Sequence, residues 1–292
     1  MLLIKRAIRL FQAVWEVIWH PRSLYFVLHN EDVFRRRIRT EFPGFEKGLP
    51  VVFIEDVVSK PLPVVETYSQ LGGTSPAIDI ALLMGIASEI PSCSYFEIGT
   101  WRGESVVNVS RVASACYTLN LDHAQQVAKG YSREAIAAAG FYLTNRNDIL
   151  RLTGDSQSFD YQSLGRTFDL VFIDGDHHAQ AVATDTRKVW CHLLHDRSIV
   201  VWHDYTRDQT EVFQEVLYGI LGGVPARLHG HLYHVWGTNC AIYLPVAVEA
   251  RSTENRFIPH HNFKIEIKHN PLDPSVLQPT PASFEARSEK GE

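Results

Sequence analysis

The chain has 292 residues, 45% of them hydrophobic and 21% charged. Those proportions suit a soluble globular enzyme, and the length suits one large α/β domain with extensions or two small domains. The formal net charge of −5 gives no general affinity for polyanions, so a nucleic-acid partner is not expected.

The charge is uneven. Residues 1–40 carry eight Lys/Arg and three Asp/Glu, a net of +5, which leaves −10 for the remainder. The four cysteines, Cys93, Cys116, Cys191 and Cys240, are widely spaced with no CxxC pair. They read as reduced, buried thiols of a cytoplasmic protein rather than a disulfide framework or zinc site. No run of 18 apolar residues is present, so no spanning helix is expected.

Residues 1–70 read as an N-terminal extension of helices and irregular chain, broken by Pro21, Pro43, Pro50, Pro61 and Pro63. Its first helix is amphipathic. Lys5, Arg6, Arg9, Gln12 and Glu16 share one face, and Leu3, Ala7, Leu10, Val14 and Ile18 lie elsewhere, with Phe11, Trp15 and Trp19 widening the apolar side. Packing on the domain is the commoner fate of such a face. Pairing in a homodimer and peripheral contact with the inner face of a membrane through residues 1–20 stay open.

Ser75, Pro76 and Asp79 announce a helix that Pro91 ends near Ile90. Strands and helices then alternate. Strands are expected at Tyr95–Ile98, Tyr117–Leu121, Leu150–Thr153, Phe168–Ile173 and Ser198–Trp202, and helices at Ser105–Ala115, 123–139, Ala179–Leu194 and 210–221. Leu232–Trp236 and Cys240–Leu244 suit a closing antiparallel pair. The alternation predicts an α/β, Rossmann-like, doubly wound sheet, mostly parallel with an antiparallel last strand, over residues 71–250. Residues 251–292 form a C-terminal extension whose tail, from about Pro279, lacks the apolar content to order itself.

The segment Tyr95-Phe-Glu-Ile-Gly-Thr-Trp-Arg-Gly-Glu-Ser105 joins the first strand to a helix through a glycine turn. Ligands of doubly wound sheets bind beyond such strand ends. Gly99 and Gly103 remove side chains where backbone must approach a ligand, Thr100 lies between them, and helix amides near Gly103–Ser105 can face a carboxylate. The spacing is not GxGxxG, which argues against a nicotinamide-dependent oxidoreductase. Glu97, two residues ahead of Gly99, would repel a pyrophosphate and suits a cationic amine or sulfonium.

This segment resembles motif I, E-x-G-x-x-x-G, of class I S-adenosylmethionine (SAM)-dependent methyltransferases. The resemblance implies SAM as cofactor. It places a ribose-binding acid at the end of the second strand, where this chain has Asn120, with Asp122 two residues on. It places an acid–Ser pair at the adenine, here Asp155-Ser156, which a turn cap would equally explain.

The fourth and fifth strands run into Phe172-Ile-Asp-Gly-Asp-His-His178 and Val201-Trp-His-Asp-Tyr205. A dense acid–imidazole set at one sheet edge is costly unless solvated, paired or metal-bound. Asp174, His203 and Asp204 could ligate one divalent ion, with carboxylates favouring Mg²⁺ and a histidine tilting toward Mn²⁺, Fe²⁺ or Zn²⁺. These segments resemble a methyltransferase group, family 24-like, that includes macrocin-type sugar O-methyltransferases, the proteins named after cephalosporin hydroxylase and, more distantly, catechol O-methyltransferase. The resemblance implies Mg²⁺ on Asp174, His203 and Asp204, with His203 departing from the usual carboxylate. It implies Asp174 or His177 as general base, and Asp174 also borders the cofactor. The implied activity is metal-assisted O-methylation of a hydroxyl on a small molecule, sugar or glycan. A SAM-binding protein without turnover and a metal-dependent hydrolase or hydroxylase on the same three residues are the alternatives. Asp176 reads as a turn or cap residue, Tyr205 as pocket lining or core, and His229, His231 and His234 as strand residues rather than a metal cluster.

Overall fold

The computed structural model describes residues 2–20, 30–251 and 258–272. The expected unstructured tail from about Pro279 lies outside the described residues. In chain order, α1 (Leu2–Trp19) and α2 (Glu31–Glu41) precede β1 (Val51–Val52), α3 (Ile54–Val57), α4 (Ala77–Glu89) and β2 (Ser94–Ile98). Next come α5 (Glu104–Val109), β3 (Ala115–Asn120), α6 (His123–Ala128), α7 (Arg133–Ala138), β4 (Ile149–Thr153) and β5 (Phe168–Ile173). The chain continues through α8 (Ala179–His192), β6 (Leu194–Trp202), β7 (Thr206–Arg207), β8 (Glu211–Val212), α9 (Gln214–Gly223), β9 (Leu232–Val235) and β10 (Ala241–Tyr243).

Eight strands form one sheet in the order β1-β9-β10-β6-β5-β2-β3-β4. β6, β5, β2, β3 and β4 pair in parallel, and β10 is antiparallel to both β6 and β9. This is the Rossmann-like, doubly wound architecture with an antiparallel closing strand. The central strands are apolar on both faces because helices cover both. Tyr95, Leu170, Phe172 and Val201 face a layer containing Ile80, Leu83 and Val106. Phe96, Val171, Val200 and Trp202 face a layer with Val182, Val189, Val216 and Leu217. α4 is buried on nearly every side from Asp79 to Ala87, which its apolar run requires.

Several elements differ from expectation. The helix expected over 123–139 is two, because Gly130 turns left-handed at φ +80° and Ser132 caps a new helix by accepting from the Ala135 amide. α9 starts later than expected, since residues 206–212 form the β7–β8 hairpin. The N-terminal extension adds β1, paired in parallel with β9 (Val51↔His234, Val52↔Val235). Ile38 and Leu49 pack into one layer, Val52 and Ile54 into the other. Cys93, Cys116 and Cys240 are buried, but Cys191 is exposed at the solvent side of α8, a correction to the expectation of four buried thiols.

α1 leaves Leu10, Phe11, Trp15 and Ile18 each more than half exposed, so its apolar face is not packed on the domain. Among the described residues no helix is long and apolar enough to cross a membrane.

Candidate active site

β2 delivers the chain to Gly99, which holds φ +97°. The adjacent backbone forces this. The Asp174 amide donates to the Ile98 carbonyl at 2.8 Å, and a Cβ at position 99 would stand 1.8 Å from the Asp174 carbonyl oxygen. The two parallel strands therefore exit touching, and only glycine fits the crossing. Gly103, at φ +92°, caps α5 against Leu143.

Glu97 lies beneath this loop and not in front of it. It has no exposed surface. Its Oε2 accepts from the Tyr95 hydroxyl at 2.7 Å and its Oε1 from the Thr118 hydroxyl at 3.3 Å. Burial raises its pKa to about 8, against the opposing hydrogen bonds of Ser105 and Tyr95. The carboxyl expected to meet a cationic amine is thus enclosed, with protein hydroxyls on both oxygens. Thr100 and Ser105 also turn inward. Both are buried, Thr100 Oγ1 pairs with Thr118 Oγ1 at 2.6 Å, and Ser105 bonds Glu97.

Beyond the strand ends opens a cleft of about 740 Å³. One wall carries Gly99 and Trp101 from the loop, Asn120 from the end of β3, and Asp155, Ser156 and Gln157 after β4. The other end carries Asp174, His177, His203 and Asp204. Asp122 stands outside this cleft. It caps α6, its side chain accepting from the Gln125 amide at 2.8 Å while Gln125 Oε1 accepts from the Asp122 amide at 3.0 Å. It lines a smaller adjoining cleft of about 270 Å³. Asp155 accepts from the Gln157 amide at 3.0 Å, as a turn residue does, and pairs with Lys129 at 3.0 Å. Gln157, absent from the sequence reading, lines the cleft and donates to Asp185 at 2.7 Å.

The acid–imidazole set converges. His203 Nδ1 lies 3.2 Å from Asp174 Oδ1 and 3.3 Å from Asp204 Oδ1, with no aligned hydrogen bond to either. Its Nε2 lies 3.1 Å from Asp79 Oδ2. Burial opposes a charged imidazole here, but Asp174, joined by Asp204 and Asp79, outweighs it and holds His203 well above its ordinary pKa. Burial likewise pushes Asp79 up, with His203 pulling the other way. His177 Nδ1 stands 3.0 Å from Asp204 Oδ2, with its ring half exposed. Asp174, His177 and Asp204 each offer a ligand atom, all within 4.8 Å of one another. Asp204 reaches this place in a left-handed conformation, φ +53°.

Asp176 accepts from the His178 amide at 2.9 Å, as a turn residue does. Tyr205 is wholly buried, and its hydroxyl accepts from the Leu49 amide at 2.7 Å, so it packs and does not line the cleft. His229, His231 and His234 bond separate backbone carbonyls and form no metal group among the described residues. By sequence pattern Asp79 is only a first-turn acid. The available signal was one carboxylate in the otherwise apolar run Ala77-Ile-Asp-Ile-Ala-Leu-Leu-Met84, since a buried acid needs a partner.

Residues 96–205 match the Methyltransf_24 family, described as a methyltransferase domain. The match covers the Gly99–Gly103 loop and both acid–imidazole segments, and it bears out the resemblance to methyltransferases. None of the curated proteins matches the chain in sequence. Solved structures similar to the chain include the Podospora anserina methyltransferase PaMTH1 with SAH bound, at 16% identity and TM-score 0.41, covering 59% of this chain and 80% of that one. The O-methyltransferase TomG from Streptomyces achromogenes, in complex with SAM, is 15% identical at TM-score 0.41, covering 59% and 81%. An O-methyltransferase from Bacillus cereus with SAH is 15% identical at TM-score 0.40, covering 63% and 84%.

Proposed function

We propose that the chain, whose residues 96–205 match a methyltransferase domain, is a SAM-dependent O-methyltransferase assisted by a divalent cation. The observation that carries this reading is the single cleft joining Gly99, Asn120 and Asp155–Gln157 to Asp174, His177, His203 and Asp204. A long cofactor has a wall along the strand ends, and an acceptor has acids and imidazoles where that wall finishes.

SAM supplies an electrophilic methyl group on a sulfonium. Gly99 gives it backbone without a side chain, Asn120 can bond the ribose hydroxyls, and Asp155 and Ser156 stand where an adenine edge would end. Asp122 caps α6, which leaves Asn120 as the polar side chain at this strand end.

The donor set fits a divalent cation. Two carboxylates and an imidazole stand within ligand reach of one another, and the buried Nδ1 of His203 has no aligned partner. Asp174 and Asp204 would hold the ion, with His203 Nδ1 or His177 adding nitrogen. Mg²⁺ suits the carboxylates, and the imidazole favours Mn²⁺, Fe²⁺ or Zn²⁺. When bound, the ion polarises and orients an acceptor hydroxyl. His177, half exposed at the cleft and oriented by Asp204, takes the hydroxyl proton, and Asp174 is the other base in reach. Orientation and exclusion of water supply much of the remaining rate.

The acceptor class we propose is a hydroxyl of a small molecule, sugar or glycan. The exposed aromatic face of α1 and the cationic balance of residues 1–40 support contact of residues 1–20 with an anionic membrane surface. Flotation with anionic vesicles tests that contact, and a concentration-dependent dimer without vesicle binding would favour pairing of α1 between copies.

The deciding experiment is calorimetric titration with SAM, with and without Mg²⁺, on wild type and Asn120→Ala. Micromolar binding that weakens in the variant is expected. A folded wild type that binds no SAM overturns the reading.

A further inference from the structure

Asp79 has no exposed surface, and a buried carboxylate persists only where its oxygens are satisfied. The Asn239 amide approaches both, at 3.1 Å from Oδ1 and 3.3 Å from Oδ2. His203 Nε2 meets Oδ2 at 3.1 Å. Asp79 is fixed by the first turn of α4, His203 by the end of β6, and Asn239 by the turn before β10. Three separate elements thus hold one carboxylate against one ring nitrogen.

An imidazole has two nitrogens on opposite sides of its ring, and in the neutral ring only one carries a proton. A carboxylate that accepts from Nε2 keeps that proton there, so Nδ1 is the nitrogen that gives up its proton when a cation is bound. In His203 that Nδ1 faces Asp174 and Asp204 across 3.2 and 3.3 Å, and it has no aligned hydrogen bond of its own.

We propose that Asp79 is a positioning residue for the metal site: by holding the Nε2 proton of His203 it fixes the ring and the tautomer that present Nδ1 beside Asp174 and Asp204 as the nitrogen ligand. This rests on the divalent-cation reading above and adds a residue from α4, outside the strand-end segments and outside the matched stretch 96–205. It also accounts for a histidine at position 203. An imidazole ligand needs an orienting acceptor behind it, and a buried acid at position 79 is that acceptor.

The test uses the full chain without SAM or acceptor and Mn²⁺ alone as probe, titrated calorimetrically into wild type, Asp79→Asn, Asp79→Ala, His203→Ala and the Asp79→Ala/His203→Ala pair. Loss of an outer partner of a metal-bound histidine lowers affinity about 10–100-fold. Asp79→Ala should fall in that range, and Asp79→Asn, which keeps an acceptor oxygen, should fall less. In the His203→Ala background, Asp79→Ala should change nothing further, because Asp79 acts through His203. Nitrogen-15 shifts of the His203 ring in the Zn²⁺-loaded protein should report a protonated Nε2 and a ligated Nδ1 in wild type, and a mixture in Asp79→Asn. If Asp79→Ala does not fold, Asp79→Asn and the ring shifts carry the test. Mn²⁺ affinity lost in His203→Ala but unchanged in both Asp79 variants overturns the role of Asp79 alone. Equal affinity in wild type and His203→Ala removes His203 as ligand, and no Mn²⁺ binding by wild type removes the cation reading itself.

Discussion

The Tyr95 hydroxyl donates to Glu97 Oε2 at 2.7 Å, and neither residue has any surface exposed to solvent. The carboxyl that precedes the Gly99–Gly103 loop is therefore an interior group. Burial lifts its pKa from 4.5 to about 8. Between those values the unfolded chain has released this proton and the folded chain still holds it. Its contribution to stability is thus complete below about 4.5 and lost as pH rises toward 8. Glu97→Gln removes this titration. Measured by thermal melting, the stability of wild type relative to Glu97→Gln should fall from pH 5 to pH 8 and level above it. A relative stability that rises with pH would mean the buried group is ionised.

Asp155 pairs with Lys129 at 3.0 Å and borders the cleft. Under the proposed function, Asp155→Ala should weaken SAM binding about tenfold, the scale of one hydrogen bond to a charged group. Calorimetry checks this, and an unchanged affinity would return Asp155 to a turn-capping role.

Asp204 meets both imidazoles, His203 at 3.3 Å and His177 at 3.0 Å. Asp204→Ala should lower Mn²⁺ affinity by more than about tenfold while leaving SAM affinity measured without metal within a few-fold. Parallel loss of both would show a collapsed sheet edge and not a missing ligand.

Trp202 ends β6 with 1% exposure, donates from Nε1 to Thr186 Oγ1 at 2.9 Å, and stacks on Trp190 at 5.8 Å. Trp202→Ala should cost about 3–5 kcal/mol, seen as a melting temperature lower by roughly 10 °C. Trp202→Phe should cost about 1–3 kcal/mol, because it leaves the Thr186 hydroxyl without its partner.

The parts of the fold written in local chemistry were legible. β5 runs Phe168–Ile173 as expected, since a strand covered on both faces is a nearly continuous apolar run, broken here by Asp169 alone. α8 starts at Ala179 as expected. β1 was not legible: its two residues acquire strand character only by pairing with β9, some 180 positions away. The same distinction divides the site. Asp174, His203 and Asp204 could be found because each follows a recognisable strand and parallel strands end at one edge. The partnership of Asp79 with His203 spans 124 positions, and nothing local records it. The burial of Glu97 was not legible, because its place in the motif reveals proximity to the loop but not which side of the sheet its side chain takes.

Position 99 separates two kinds of selection. Its side chain is excluded by the protein's own backbone, the carbonyl of Asp174, whether or not a cofactor arrives. A survey of all substitutions scored only for intact protein in the cell should therefore find position 99 as intolerant as the core, while Asn120, at the cleft wall, should pass that survey and fail only one scored for methyl transfer. A glycine that would pass for a ligand contact is a seam between two strands, and its loss would register as missing protein before it registered as missing activity.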